Sequence, residues 1–232
     1  MPEYSFILST KLLRRITKAC AVLLNETRIA LNDEGIAIRA VDPGNVCLVD
    51  ISLKKEEFEA YEVKNSVIGV DVQRLHSFSK TIRDKLAIIE GDERTLKLKA
   101  SKISYSLSLI DPSVIKKEPK LPVLDLPAVT EVTGNEFRNA ITMADKITDS
   151  IAFEANDSFH MVAEGNTDNV MVDLSENYEG DAEERTVIGV ELLKEVAKAI
   201  EKDDIVKLEV GTNKPLRISI EERTGIHFES YT

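Results

Sequence analysis

A chain of 232 residues, rich in Val, Ile and Leu and without tryptophan, can bury an adequate core as one large or two small domains. No apolar run approaches the ~18 residues of a membrane span, and the first residues alternate like a strand and do not resemble a secretory leader, so a cytoplasmic protein without a membrane partner is expected. The net charge of −11 argues, taken alone, against a nucleic-acid partner, and Cys20 and Cys47 read as buried free thiols of a reducing compartment.

Residues 4–8 alternate, and 11–24 change to a helical period that places Leu12, Ile16, Ala19, Cys20 and Leu23 on one face. Residues 25–53 read as strands joined by turns at Asn32-Asp-Glu-Gly35 and Asp42-Pro-Gly-Asn45. An acidic stretch at 56–62 precedes Val67-Ile-Gly-Val70 and a second amphipathic helix running to Ile82. Three more strands are expected at 86–90, 95–99 and 103–109. Residues 110–132 then hold four of the seven prolines, Pro112, Pro119, Pro122 and Pro127. Each removes a donor and keeps its predecessor extended, so this is a connector along which Leu121, Val123, Leu124 and Leu126 leave apolar side chains for a partner.

Beyond it the same order returns. Residues 136–147 are helical, with Phe137, Ala140, Ile141 and Ala144 facing inward, and strand patterns separated by Asn156-Asp157 follow. Val187-Ile-Gly-Val190 repeats Val67-Ile-Gly-Val70 letter for letter 120 residues later, and Leu216-Arg-Ile answers Leu96-Lys-Leu at the same offset. Matches in one order at a nearly constant offset imply an internal duplication. The expected division is 1–110, a connector at 111–132, and 133–232. The fold class is α+β, each domain an antiparallel sheet with two helices on its inner face.

Charge is sorted between these elements. Residues 10–24 carry +4, 71–83 carry +2, and 135–147 and 190–202 are neutral, which leaves −17 for the rest. On the first helix Lys11, Arg14, Arg15 and Lys18 are spaced i, i+3, i+4, i+7 without an acid between them. Four like charges on one arc repel unless an anion lies against them, which points to a polyanion. The second helix offers Arg74 and Lys80, the third Arg138 and Lys146. The fourth offers Lys194 and Lys198, which Glu191 and Glu195 can neutralise at i, i+3. Long cationic side chains without interleaved Asn, Gln or aromatic residues suit phosphates and not base edges.

Taken together, the sequence resembles the sliding clamps of the proliferating cell nuclear antigen family, particularly archaeal ones, across its whole length. The resemblance is carried by Asp33-Glu-Gly-Ile-Ala-Ile-Arg-Ala-Val-Asp42, Asn45-Val-Cys-Leu-Val49, Phe58 with Tyr61, Gly69-Val70, Glu136-Phe137 and Ala163-Glu-Gly165. It implies two similar domains per chain and three chains joined head to tail into a ring lined by helices, a homotrimer or a trimer of unlike chains, encircling duplex DNA. It implies subunit contacts through Lys102, Ser104, Tyr105, Leu107 and Leu109 on one side and Val170, Val172, Leu174 and Glu176 on the other. DNA polymerase, clamp loader, flap endonuclease and ligase would bind by short peptides plugging a pocket. By position that pocket uses Val41, Val46, Leu48, Leu121, Pro122, Leu126, Pro215 and Tyr231, although Val41, Val46 and Leu48 also suit ordinary sheet core. Such a protein confers processivity in replication and repair on the chromosome.

Two other readings compete. A checkpoint-type clamp or protein scaffold would share the fold, while a nuclease built from Asp42, Glu164, Asp168 and Asp173 has little support. No metal-ligand spacing, nucleophile elbow or phosphate-cradling loop accompanies those carboxylates, and His76, His160 and His227 stand far apart in sequence. No catalytic residue, metal or cofactor is therefore expected.

Overall fold

The structure, a computed structural model, describes residues 2–120, 123–180, 183–221 and 225–230. Two compact units emerge, one built mainly from residues 2–43 and 49–119, the other mainly from 123–221. Among the described residues no helix is long and apolar enough to cross a membrane.

The first unit runs β1 (Tyr4–Ser9), α1 (Thr10–Ala21), β2 (Glu26–Asn32), β3 (Gly35–Val41), β4 (Cys47–Lys54), β5 (Ala60–Val63), β6 (Ser66–Asp71), α2 (Val72–Ser79), β7 (Leu86–Gly91), β8 (Thr95–Ala100) and β9 (Ile103–Ser108). Its strands lie in the orders β5-β1-β7-β8-β9 and β4-β3-β2-β6. Alternation in β1 sends Tyr4, Phe6 and Leu8 into the core. The β2–β3 turn depends on Asn32, whose Oδ1 accepts from the amides of Glu34 and Gly35 at 2.9 and 3.0 Å. Gly35 has φ +142°, and a Cβ there would collide with the Leu53 carbonyl. The acidic stretch hides a strand: in β5 the Tyr61 ring packs 4.8 Å from Phe58, and its hydroxyl donates to the Gly35 carbonyl at 2.6 Å. Burial pushes the Tyr61 phenol up to about 12.

α1 starts where the Ser9 hydroxyl accepts from the Leu12 amide. Its covered face centres on Leu13, Ile16, Thr17 and Cys20, while Leu12 and Leu23 are only half-buried. A stripe read from apolar residues alone misses Thr17, whose hydroxyl bonds back to the Leu13 carbonyl at 2.9 Å and meets α2 through Ser79 at 3.2 Å. Burial alone pushes the Cys20 thiol up to about 12. Within this core lies an apolar cavity of about 60 Å³, bounded by Leu13, Ile16, Cys20, Leu31, Leu75 and Ile89 among others.

The second unit runs β10 (Ala128–Thr133), α3 (Gly134–Ala144), β11 (Ser150–Ala155), β12 (Phe159–Glu164), β13 (Asn169–Asp173), β14 (Glu184–Gly189), α4 (Val190–Ala199), β15 (Ile205–Val210), β16 (Leu216–Glu221) and β17 (Gly225–Ser230). The orders are β13-β12-β11-β14 and β10-β15-β16-β17. Element for element this repeats the first unit without β5, over a core of Phe137, Phe153, Phe159 and Leu193. β10 begins directly after Pro127, so residues 128–132, expected in the connector, are strand. The connector's start is fastened to the first unit by the Ile110 amide on the Gly69 carbonyl at 2.9 Å and by Arg28 on the Pro112 carbonyl at 2.7 Å.

The twin Val-Ile-Gly-Val segments end differently. In the first unit all four residues are strand, and Asp71 caps α2 by accepting from the Arg74 amide at 2.9 Å. In the second, Gly189 is the cap residue, makes no side-chain bond, and α4 begins at Val190. The residue two places beyond the glycine is Asp71 in one copy and Glu191 in the other: the short aspartate caps, whereas the longer glutamate is taken into the first turn of α4.

Candidate nucleic-acid interface and assembly edges

The helix cations divide by unit. On α1, Lys11 is exposed, and Arg14 and Lys18 are half-buried. Arg14 is braced along the helix, its Nε donating to the Thr10 carbonyl at 3.1 Å. Arg15 departs from the expectation of four charges on one open arc, because it is only 6% exposed. At about 100° per residue it lies between Lys11 and Ala19, and Ala19 marks a covered flank at 1% exposure. On α2, Arg74 is exposed and pairs with Asp71 at 3.2 Å. The helix ends at Ser79, short of Ile82, so Lys80 is its exposed C-cap.

In the second unit Arg138 is exposed and reaches the Ile200 carbonyl at 3.4 Å, while Lys146 is exposed in the turn after α3. Lys194 stands between Glu191 at 2.8 Å and Asp145 at 2.9 Å. Hydrogen bonds to those two carboxylates, Glu191 first, hold its ammonium above the ordinary lysine range. Lys198 pairs with Glu195 at 2.5 Å. The intrahelical partners were legible in the spacing; Asp145, from the end of another helix, was not.

Each unit ends one of its sheets on a strand with a single neighbour, β9 beside β8 and β13 beside β12. The residues expected at subunit contacts fall on these strands or just beyond them. Lys102, Ser104 and Glu176 are exposed, and Tyr105, Leu109, Val170 and Val172 are half-buried. Leu107 and Leu174 turn inward at 3% and 5% exposure, so their side chains belong to the core, and only their backbone is available to a neighbour. The open positions that the sequence reading missed are Ile103 and Met171, 42% and 60% exposed. Tyr105 stacks on Phe78 with ring centroids 3.9 Å apart, which ties the β9 edge to α2.

Of the residues assigned to the peptide pocket, Leu121, Pro122 and Tyr231 lie outside the described residues. Val46 is 43% exposed, Val41 and Pro215 are half-buried, and Leu48 is core at 1%. Leu126 was expected to be exposed on the connector and is instead 8% exposed. It lies against Gly211, in the turn that precedes Pro215, where a Cβ would come within 3.3 Å of its side chain.

The histidines do have partners: His76 Nδ1 lies 3.1 Å from Thr17 Oγ1, His160 Nε2 2.6 Å from Ser158, and His227 Nδ1 2.8 Å from Ser219. Asp42 is half-buried, and Glu164, Asp168 and Asp173 are exposed; Asp173 caps a turn, its carboxylate held low by the Ser175 side chain and amide. Among the described residues no three His, Cys, Asp or Glu side chains gather closely enough to hold a metal ion.

A duplicated α+β chain with a helix pair in each copy, free sheet edges and a cationic first helix has the architecture of a DNA clamp. Residues 3–116 match the family model for the proliferating cell nuclear antigen N-terminal domain. The chain is 37% identical to a DNA polymerase sliding clamp of Archaeoglobus fulgidus, over 93% of this chain and 91% of that one. It is 35% identical to one from Methanothrix thermoacetophila, over 95% and 93%. Among solved structures it is similar to A. fulgidus PCNA bound to the C-terminal region of FEN-1, with a TM-score of 0.93, 35% identity and coverage of 98% and 97%. The fold also matches PCNA of Thermococcus kodakaraensis, with a TM-score of 0.91, 24% identity and coverage of 98% and 99%. The chain belongs to the DNA polymerase sliding clamp family.

Proposed function

We propose that this protein is the sliding clamp of a replication system, a non-enzymatic subunit that closes around duplex DNA and tethers the enzymes working on it. The observation that carries the reading is the placement of Lys11, Arg14 and Lys18 along one helix of a chain whose net charge is −11. Phosphate contacts of this kind hold DNA without regard to sequence and let the protein slide. Closure would come from β9 of one copy pairing with β13 of the next: a head-to-tail contact completes a ring and leaves neither edge open. Ile103, Tyr105, Val170 and Met171 would be its apolar part. In this reading the domains are the two halves flanking the connector. Similarity to a clamp bound to the C-terminal region of FEN-1 supports client binding here, with Val46 and Pro215 contributing to the docking surface. Tethering makes each client's rebinding effectively intramolecular.

Retention on DNA tests the reading. Loaded onto a nicked circle, the assembled protein should stay bound through a high-salt wash and be lost once the circle is linearised. Equal loss from both forms would rule out encirclement.

A further inference from the structure

His76 lies half-buried on α2, with its ring turned toward α1. Its Nδ1 is 3.1 Å from the Thr17 hydroxyl. That hydroxyl has one proton, and its shortest acceptor is the Leu13 carbonyl at 2.9 Å. The Ser79 hydroxyl proton goes to the carbonyl of His76 itself at 2.8 Å. The 3.2 Å Thr17–Ser79 contact draws on the same two hydroxyl protons, so which end of the Nδ1–Thr17 bond donates in the neutral ring depends on its tautomer. Once protonated, the ring donates from Nδ1 to Thr17 and carries a second N–H at Nε2, whichever tautomer it started from.

The charged groups bearing on the ring are Lys80 at the end of its own helix and Lys18 from α1. Burial first, and then these two ammonium groups, hold the imidazole below its ordinary pKa. A phosphate backbone lying along α1 reverses the second influence: it neutralises Lys18 and Lys80 and offers acceptors to a protonated ring.

We propose that His76 is a further phosphate contact of the α1–α2 face, one that becomes a cationic Nε2–H donor when a nucleic-acid backbone lies against Lys18 and Lys80, so that binding takes up a proton. This rests on the reading of α1 as the DNA-facing helix. The sign follows from linkage: if the ring's pKa is higher in the complex than in the free protein, affinity rises as pH falls through the interval between the two values. Each unit of that rise is worth about tenfold in affinity.

The test is duplex-DNA affinity of the full-length, assembled protein between pH 8 and pH 5.5 at fixed ionic strength, with light scattering at each pH to confirm assembly. The unaltered protein should tighten by about three- to tenfold toward pH 5.5, and His76→Gln, whose amide can still meet Thr17 but cannot take a proton, should lose that increment. His160 and His227 are present in both proteins, so equal slopes would overturn the proposal. If the variant folds poorly, NMR titration of the unaltered protein decides: the His76 ring should titrate at higher pH with duplex DNA than without, and an unmoved midpoint overturns the idea. Lys11→Glu with Arg14→Glu, measured at pH 8, separates the two layers. Undiminished affinity there would defeat the DNA-facing reading itself, whereas weakened affinity together with equal slopes would defeat only the role of His76.

Discussion

Arg15 is 6% exposed, so exchanging it for glutamate would bury a carboxylate where a guanidinium now lies, at a cost of about 3–5 kcal/mol. Lys11 is exposed, and Arg14, half-buried, would lose its bond to the Thr10 carbonyl, so the same exchange at these two should cost only about 0.5–1.5 kcal/mol. We expect Arg15→Glu to lower the urea midpoint clearly, and Lys11→Glu with Arg14→Glu to lower it much less while weakening DNA binding. Similar midpoints for both would mean that Arg15 is solvated. At this scale the sequence told charge and spacing but not burial. The i, i+3 partner of Lys194 could be counted along the chain, whereas Asp145, Thr17 beside His76, and the covered flank beside Ala19 exist only once helices pack. Leu126 shows the same limit, since an apolar residue on a proline-rich strap can equally be held down by a turn more than eighty residues away.

Most helices and strands announced themselves through periodicity and turn chemistry, because local rules and tertiary burial agreed there. Where they disagreed, the elements were missed or misplaced. β5 carries the acid Glu62 and reads as loop until Tyr61 finds Phe58 and the Gly35 carbonyl. The two helix starts after Val-Ile-Gly-Val diverge because Asp71 caps, whereas its counterpart Glu191 lies inside the first turn of α4 and Gly189 becomes the cap. α3 is the best-defined start: Thr133 and Glu136 satisfy each other's amides, and those bonds hold the Glu136 carboxylate below its usual range. For the edge strands the proposed closure has a direct consequence. Ile103→Glu places a charge on an open position of β9 without touching the core, so it should leave the circular dichroism spectrum intact and convert the assembly to monomers in light scattering. An unchanged particle mass would remove β9 from the joint.

For the whole molecule, duplication was the most legible property, since it is a relation between distant residues that survives errors in any single boundary. The family resemblance and the repeat led to the same architecture independently. The charge pattern was legible in sum but not in distribution. Both units carry helix cations, and acids engage some in each: Lys194 and Lys198 in the second, Arg74 in the first. The core of the first unit also encloses the apolar void among Leu13, Ile16, Cys20 and their neighbours. Unfolding lets solvent occupy such space, so the denatured chain takes up less volume. The volume change by which compression shifts folding equilibria grows with the void space that unfolding eliminates. Squeezed in a high-pressure NMR cell, this protein should therefore lose signals from Ile16, Leu75 and Ile89, which border that space, before it unfolds globally; their persistence to that point would show that the void does not yield.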